Sequence, residues 1–142
     1  MTKVLIIQGA GMDMRGKARV EIFGPETLDE INAIIRNHAK ALTLEVEILQ
    51  SNDEDSVVNR LESIDATDIA AVLINPAGFT TTTGPLPDAV AKLTIPVYEV
   101  HASNPAARGV KSTLLPVCTG AICGFGYLGY KLGLLAIKDA IS

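Results

Sequence analysis

Tryptophan is absent from this 142-residue chain, and aromatic residues make up only 4% of it. With so few rings, and none interleaved with basic residues, a base-stacking nucleic-acid surface has little to be built from. Positive charge is also scarce. Twelve Lys and Arg stand against sixteen Asp and Glu, a formal charge of −4, which argues against a phosphate-backbone partner. No apolar run nears the roughly 20 residues of a membrane-spanning helix. The start, MTKVLII, has too short an apolar stretch for a secretory leader, so a cytoplasmic location is expected. The two cysteines, Cys118 and Cys123 in CTGAIC, lack metal-ligand spacing, and histidine occurs only at His38 and His101. Reduced thiols are expected, with no metal site.

What remains is a chain rich in core-forming residues. Hydrophobic residues are 48% against 20% charged, enough for one packed domain over residues 1–142. Residues 4–8 (VLIIQ) and 69–74 (IAAVLI) are continuous apolar runs, the mark of strands covered on both faces. Residues 44–49 (LEVEIL) alternate as a half-open strand, residues 95–100 (IPVYEV) form a fourth, and residues 114–118 (LLPVC) a short fifth. Between them, Thr27 and Glu30 form a capping-box pair ahead of a helix whose apolar face carries Leu28, Ile31, Ile34, Ile35 and Leu42. His38 lies on that stripe and reads as a packed helix residue. Ser51 and Glu54 form a second box ahead of Val57, Val58, Leu61 and Ile64. A short helix is expected around residues 85–93, and a last, apolar helix over residues 127–141. Strands alternating with helices five times imply a three-layer α/β/α domain. Its five-stranded parallel sheet is expected to be flavodoxin-like, in the order 2-1-3-4-5.

In such sheets ligands sit beyond the C-terminal strand ends, at the switch in strand order. Three segments converge there. Residues 9–24 form a long loop with three cations, Arg15, Lys17 and Arg19, suited to a lid. It matches neither a dinucleotide fingerprint nor a phosphate loop. Residues 75–83 (NPAGFTTTT) end the third strand, with Pro76 and Gly78 as stops, and crowd hydroxyls at a helix N-terminus, an arrangement that favours an anion. The fourth strand releases Glu99, His101, Ser103 and Asn104. A basic loop with Arg108 and Lys111 follows.

These blocks resemble the type II 3-dehydroquinate dehydratases over almost the whole length. The resemblance rests on VLIIQGAGM, the IFG closing the loop, TLDEI, QSNDED, NPAGFTTT, EVHASN and PVCTGAICGFGYLGYKLGLLAI. It implies a lyase that removes water from 3-dehydroquinate or a related small cyclic oxo or hydroxy acid, needing no cofactor. It also implies small flavodoxin-like subunits packed as trimers within dodecamers. By the same likeness His101 is the general acid and Glu99 orients it. Asn75 binds substrate, and Ala102 and Ser103 hold its carboxylate. Asp88 reaches the pocket of the adjacent subunit, and Arg108 or Lys111 grips the substrate.

The likeness breaks in the lid. The family's catalytic base is a tyrosine at the position of Phe23, kept as phenolate by an arginine that here is Ala18, with Arg19 one place on. Gly11 stands where an asparagine is expected and Thr81 where a second histidine is. Phenylalanine has no ionisable proton, so the base is altered. Glu21, Asp13 and the tyrosines Tyr98, Tyr127 and Tyr130 are the available replacements. The alternatives are a diverged reaction, isomerase or hydrolase, on a different small oxo acid, or a non-catalytic metabolite-binding assembly.

Overall fold

The structure is a computed structural model and describes residues 2–65 and 68–142. Five strands, β1 (Thr2–Ala10), β2 (Leu44–Gln50), β3 (Ile69–Ala77), β4 (Val97–His101) and β5 (Gly120–Cys123), form one parallel sheet in the order β2-β1-β3-β4-β5. This is the expected flavodoxin-like order. The helices are α1 (Val20–Phe23), α2 (Leu28–Ala41), α3 (Glu54–Glu62), α4 (Leu86–Ala91) and α5 (Leu128–Ala140). Among the described residues, no helix is long and apolar enough to cross a membrane.

The period of two along each strand splits the core between the faces of the sheet. Leu5, Ile7, Val72 and Ile74 face α3 and α4, packing on Val57, Leu61, Leu86 and Val90. Val4, Ile6, Ala71 and Leu73 face α2 and α5, packing on Ile31, Ile35, Leu134 and Ile137. Both faces being covered explains why β1 and β3 read as unbroken apolar runs. On α5, Gly133 lets the helix settle onto Leu73, since a Cβ there would lie 2.7 Å from its Cδ1. The opposite edge of α5 leaves Leu128 and Leu135 exposed.

The Thr27 capping box forms as expected, with the Glu30 amide bonded to the Thr27 hydroxyl and the Thr27 amide to the Glu30 carboxylate. Other expectations need correction. The fifth strand is Gly120–Cys123, and Leu115–Val117 is a 3-10 turn leading to it. Its edge position asks for pairing on one side only, so four residues suffice. β3 does not stop at Pro76. It continues to Ala77, which pairs with Ala10. Ser51 does not cap α3 in a box. Asp53 is the N-cap, accepting from the Asp55 amide, while Ser51 bonds the Asp53 backbone. Glu54 instead reaches across to α4, accepting from the Leu86 amide at 2.9 Å and from the Thr82 hydroxyl. The loop after β1 is also less irregular than its pattern suggests, holding a 3-10 turn at Met12–Met14 as well as α1.

β1 and β3 approach most tightly where they meet the ligand end of the sheet. A Cβ on Gly9 would stand 2.0 Å from the Pro76 carbonyl oxygen, against rigid backbone. Gly9→Ala is therefore expected to destabilise the protein by about 3 kcal/mol, the upper end of overpacking costs. Gly133→Ala meets only the end of the Leu73 side chain and should cost less. Urea midpoints of the two variants check the ranking.

Candidate active site

The sheet order brings the three expected segments together. A cavity of about 450 Å³ opens above the ends of β1, β3 and β4. From β1 and its loop it is lined by Gly11, Met14, Arg15, Ala18, Arg19 and Phe23. From β3 come Asn75, Ala77 and Thr81, and from β4 His101, Ala102, Ser103 and Arg108. Lys111 is not among the lining residues, so the geometry favours Arg108 of the two cations in that loop. Arg108 donates to the Ser103 hydroxyl at 2.9 Å, setting a cation beside a hydroxyl at the cavity wall.

His101 is buried as the last residue of β4. Its Nε2 bonds the carboxylate of Glu99, two residues earlier on the same strand face. Glu99 stands behind His101 and is itself buried. Its second oxygen accepts from the Ser112 hydroxyl at 2.9 Å. Ser112 in turn accepts from the amides of Leu114 and Leu115. The carboxylate thus has a partner on each oxygen, and the imidazole ring is fixed with Nδ1 left to give or take a proton.

Asn75 is held just as firmly. Its Oδ1 accepts from the Ala77 amide at 3.1 Å, and its Nδ2 donates to the Tyr130 hydroxyl at 3.0 Å. The Tyr130 hydroxyl donates to Gln8 Oε1 at 2.7 Å, and Gln8 Nε2 donates to Asn32. This run of side chains ties β3 to α5, β1 and α2 directly beneath the cavity. Tyr130 is fully buried, and burial pushes its phenol up to about 12 although its bonds to Asn75 and Gln8 favour the ionised form.

The lid is organised by Arg15. Its guanidinium carbon lies 3.8 Å from the centroid of the Phe23 ring, a cation–π contact. Burial lowers its pKa, partly offset by the nearby Tyr127 and Tyr130 oxygens. The Tyr127 hydroxyl donates to the Phe23 carbonyl oxygen, pinning the end of α1 to the start of α5. Arg19 has a left-handed backbone with φ of 53° at the N-terminus of α1.

Several expectations fail on this geometry. The anion site at the α4 N-terminus does not exist as expected, because the Glu54 carboxylate already occupies the Leu86 amide. Thr80 and Thr82 serve loop structure: the Thr80 hydroxyl donates to Ala77 O and the Thr82 hydroxyl to Glu54. Thr81 remains as the threonine of the cluster whose side of the loop faces the cavity together with Thr80. None of the replacement bases lines the cavity. Asp13 is exposed and accepts from Asn52, Glu21 is exposed, and burial raises the pKa of Tyr127 and Tyr130. Asp88 is exposed on α4, outside this chain's own cavity. Among the described residues, no three His, Cys, Asp or Glu side chains are grouped as a metal-ligand set. Ser112 was not expected as a site residue, and Tyr130, expected only as a replacement base, and Arg15, expected only as a lid cation, take other places here. The sequence signal for them was slight: Arg15 was one of three loop cations, and the other two depend on contacts distant in sequence.

Comparison with known proteins gives a consistent result. A sequence model of the dehydroquinase class II family matches residues 2–138. The 3-dehydroquinate dehydratase of Geotalea daltonii is 41% identical over 99% of both chains. That of Desulforudis audaxviator is 40% identical over 99% of this chain and 95% of its own. The crystal structure of a type II dehydroquinase from Propionibacterium acnes superposes with a TM-score of 0.91 at 30% identity, covering 98% of this chain and 97% of that one.

The buried phenol sets a pH test. The folded value of Tyr130, about 12, lies above its ordinary 10. The neutral phenol therefore contributes stability that is full below pH 10 and is lost as pH rises towards 12. Tyr130→Phe should flatten this alkaline loss. At neutral pH it should cost about 1–3 kcal/mol by leaving Gln8 and Asn75 short of a partner. Urea unfolding of both proteins at neutral pH and above pH 10 checks both expectations.

Proposed function

The chain belongs to the class II dehydroquinases, and on that footing we propose that it is a lyase removing water from 3-dehydroquinate or a related small cyclic oxo or hydroxy acid. The observation that carries this reading is the His101–Glu99–Ser112 arrangement opening on the cavity at the end of β4. An imidazole oriented through Nε2 by a carboxylate is suited to protonating a departing hydroxyl from Nδ1. The substrate carboxylate is held by Ser103 with the backbone of Ala102, and by Arg108. Asn75 and Thr81 contact the ring from the β3 side. The subunits form trimers within a dodecamer, where Asp88 of one chain reaches the neighbouring pocket. The protein is cytoplasmic and works without a cofactor.

The proton next to the ketone is the harder half of the reaction. The groups on the cavity wall with titratable side chains are His101 and three arginines, beside Phe23, which by the sequence likeness takes the place of the family's tyrosine. In this reading solvent takes the proton, while Arg15 and Arg19 stabilise the enolate that forms. Losing a positioned base costs roughly 10²- to 10⁴-fold in rate, so turnover is slow. Similarity along the whole length favours this reading over a changed reaction or a purely binding assembly.

The test is turnover of 3-dehydroquinate by the purified protein, followed through absorbance of the conjugated product. His101→Ala should lower kcat by about 10²-fold or more. Phe23→Tyr should raise it, because Arg15 already lies against the ring at position 23 and would favour a phenolate there. No turnover by either wild type or Phe23→Tyr would remove the lyase reading.

A further inference from the structure

Arg15 is held from two directions. The Phe23 ring covers one face of its guanidinium, with the centroid 3.8 Å from the guanidinium carbon. The Tyr127 hydroxyl oxygen accepts a hydrogen bond from it. The same hydroxyl donates to the Phe23 carbonyl oxygen. The three residues thus close a ring of contacts, from cation to aromatic face, from carbonyl to hydroxyl, and from hydroxyl back to cation. Arg15 and Phe23 belong to the lid, and Tyr127 is the N-cap of α5.

The polarity of this ring is fixed. A phenol has one proton to give. Burial raises the pKa of Tyr127, so the proton is retained and goes to Phe23, while a lone pair faces the cation. Arg15 and Phe23 line the cavity and Tyr127 does not. Tyr127 therefore acts on a ligand through the two residues it holds. Its own ring is placed by Tyr130, on which it stacks with centroids 6.4 Å apart and planes at 21°. Tyr130 is the floor residue bonded to Gln8 and Asn75. A continuous line of contacts runs from the floor of the cavity to the lid cation.

We propose that Tyr127 is a positioning residue for the reaction, its hydroxyl holding Arg15 at the cavity wall and tying the lid to the floor of the site. The inference rests on the functional reading above for the task of Arg15, which is to stabilise the enolate. It places a determinant of that step on the last helix, outside the cavity.

Limited trypsin digestion of the full chain tests the hold directly. Lys17 and Arg19 are exposed cleavage sites in the lid, and Arg36 and Lys40 are exposed sites in α2. Tyr127→Phe keeps the ring and removes the hydroxyl with both of its bonds. Two ordinary hydrogen bonds amount to about tenfold in a local opening equilibrium. Lid cleavage relative to α2 cleavage should therefore rise about tenfold. An unchanged ratio, whether from an undisturbed lid or from general unfolding, overturns the proposal. Kinetics on 3-dehydroquinate read the consequence. Tyr127→Phe should lower kcat about tenfold with little change in KM, because the enolate charge develops only beyond the ground state. Arg15→Met combined with Tyr127→Phe should be no slower than Arg15→Met alone, since one acts through the other. Penalties that multiply in the double variant overturn the proposal. A raised lid ratio without turnover in the wild type or Phe23→Tyr would sink the lyase reading alone, and turnover with an unchanged ratio would sink the Tyr127 assignment alone.

Discussion

The site depends on one buried hydroxyl. Tyr130 comes from the last helix, yet its oxygen sits between Gln8 of β1 and Asn75 of β3, accepting from one and donating to the other. Those two strands carry the change of direction in the sheet, and their divergence beyond it creates the cavity. Their spacing is set by the contact of Gly9 with Pro76. Their side chains are set by the phenol. A polar group so deeply placed is tolerated because each of its bonds is made, and the same bonds leave Asn75 a single orientation. The functional end of the molecule is thereby secured by a residue of a helix far from it in sequence.

Against this rigid floor, the two walls differ in character. The β4 wall is a nested set of hydrogen bonds, from backbone amides to Ser112, to Glu99, to His101. It is neutral or paired at every step. The β1 wall holds Arg15 with an unsatisfied donor against an aromatic face. The first wall is suited to moving a proton, the second to receiving negative charge. A reaction that builds an enolate and releases water, as proposed above, needs both.

Much of this was legible from residue order. Unbroken apolar runs in β1 and β3 identify strands covered on both faces, and the alternation of elements leads to the observed sheet order. EVHASN places His101 beside the Glu99 carboxylate because residues two apart on a strand share a face. The errors have physical causes. β5 was displaced because Leu114–Cys118 has the stronger strand propensity. The true strand, GAIC, begins with a glycine at which a Cβ would lie 3.6 Å from the Tyr98 ring, a proximity no local pattern reports. Glu54 was misassigned because a capping-box spacing cannot distinguish a carboxylate turned back to its own helix from one drawn to another. In sequence Arg15 is one of three lid cations with nothing to set it apart, and only the folded lid shows it against Phe23.

The bond between the Tyr127 hydroxyl and residue 23 is made to the backbone carbonyl, not to a side chain. The lid is thus anchored in a way that is blind to which residue occupies that position. Catalytic chemistry and loop placement are separable here: a lineage could exchange phenol for phenyl without dislodging the loop, and could reverse the exchange as easily. A scaffold with such anchors can lose or regain a reactive group in a single codon change while its architecture stays constant. That freedom allows close relatives to share a fold almost completely and still differ at the atom that matters.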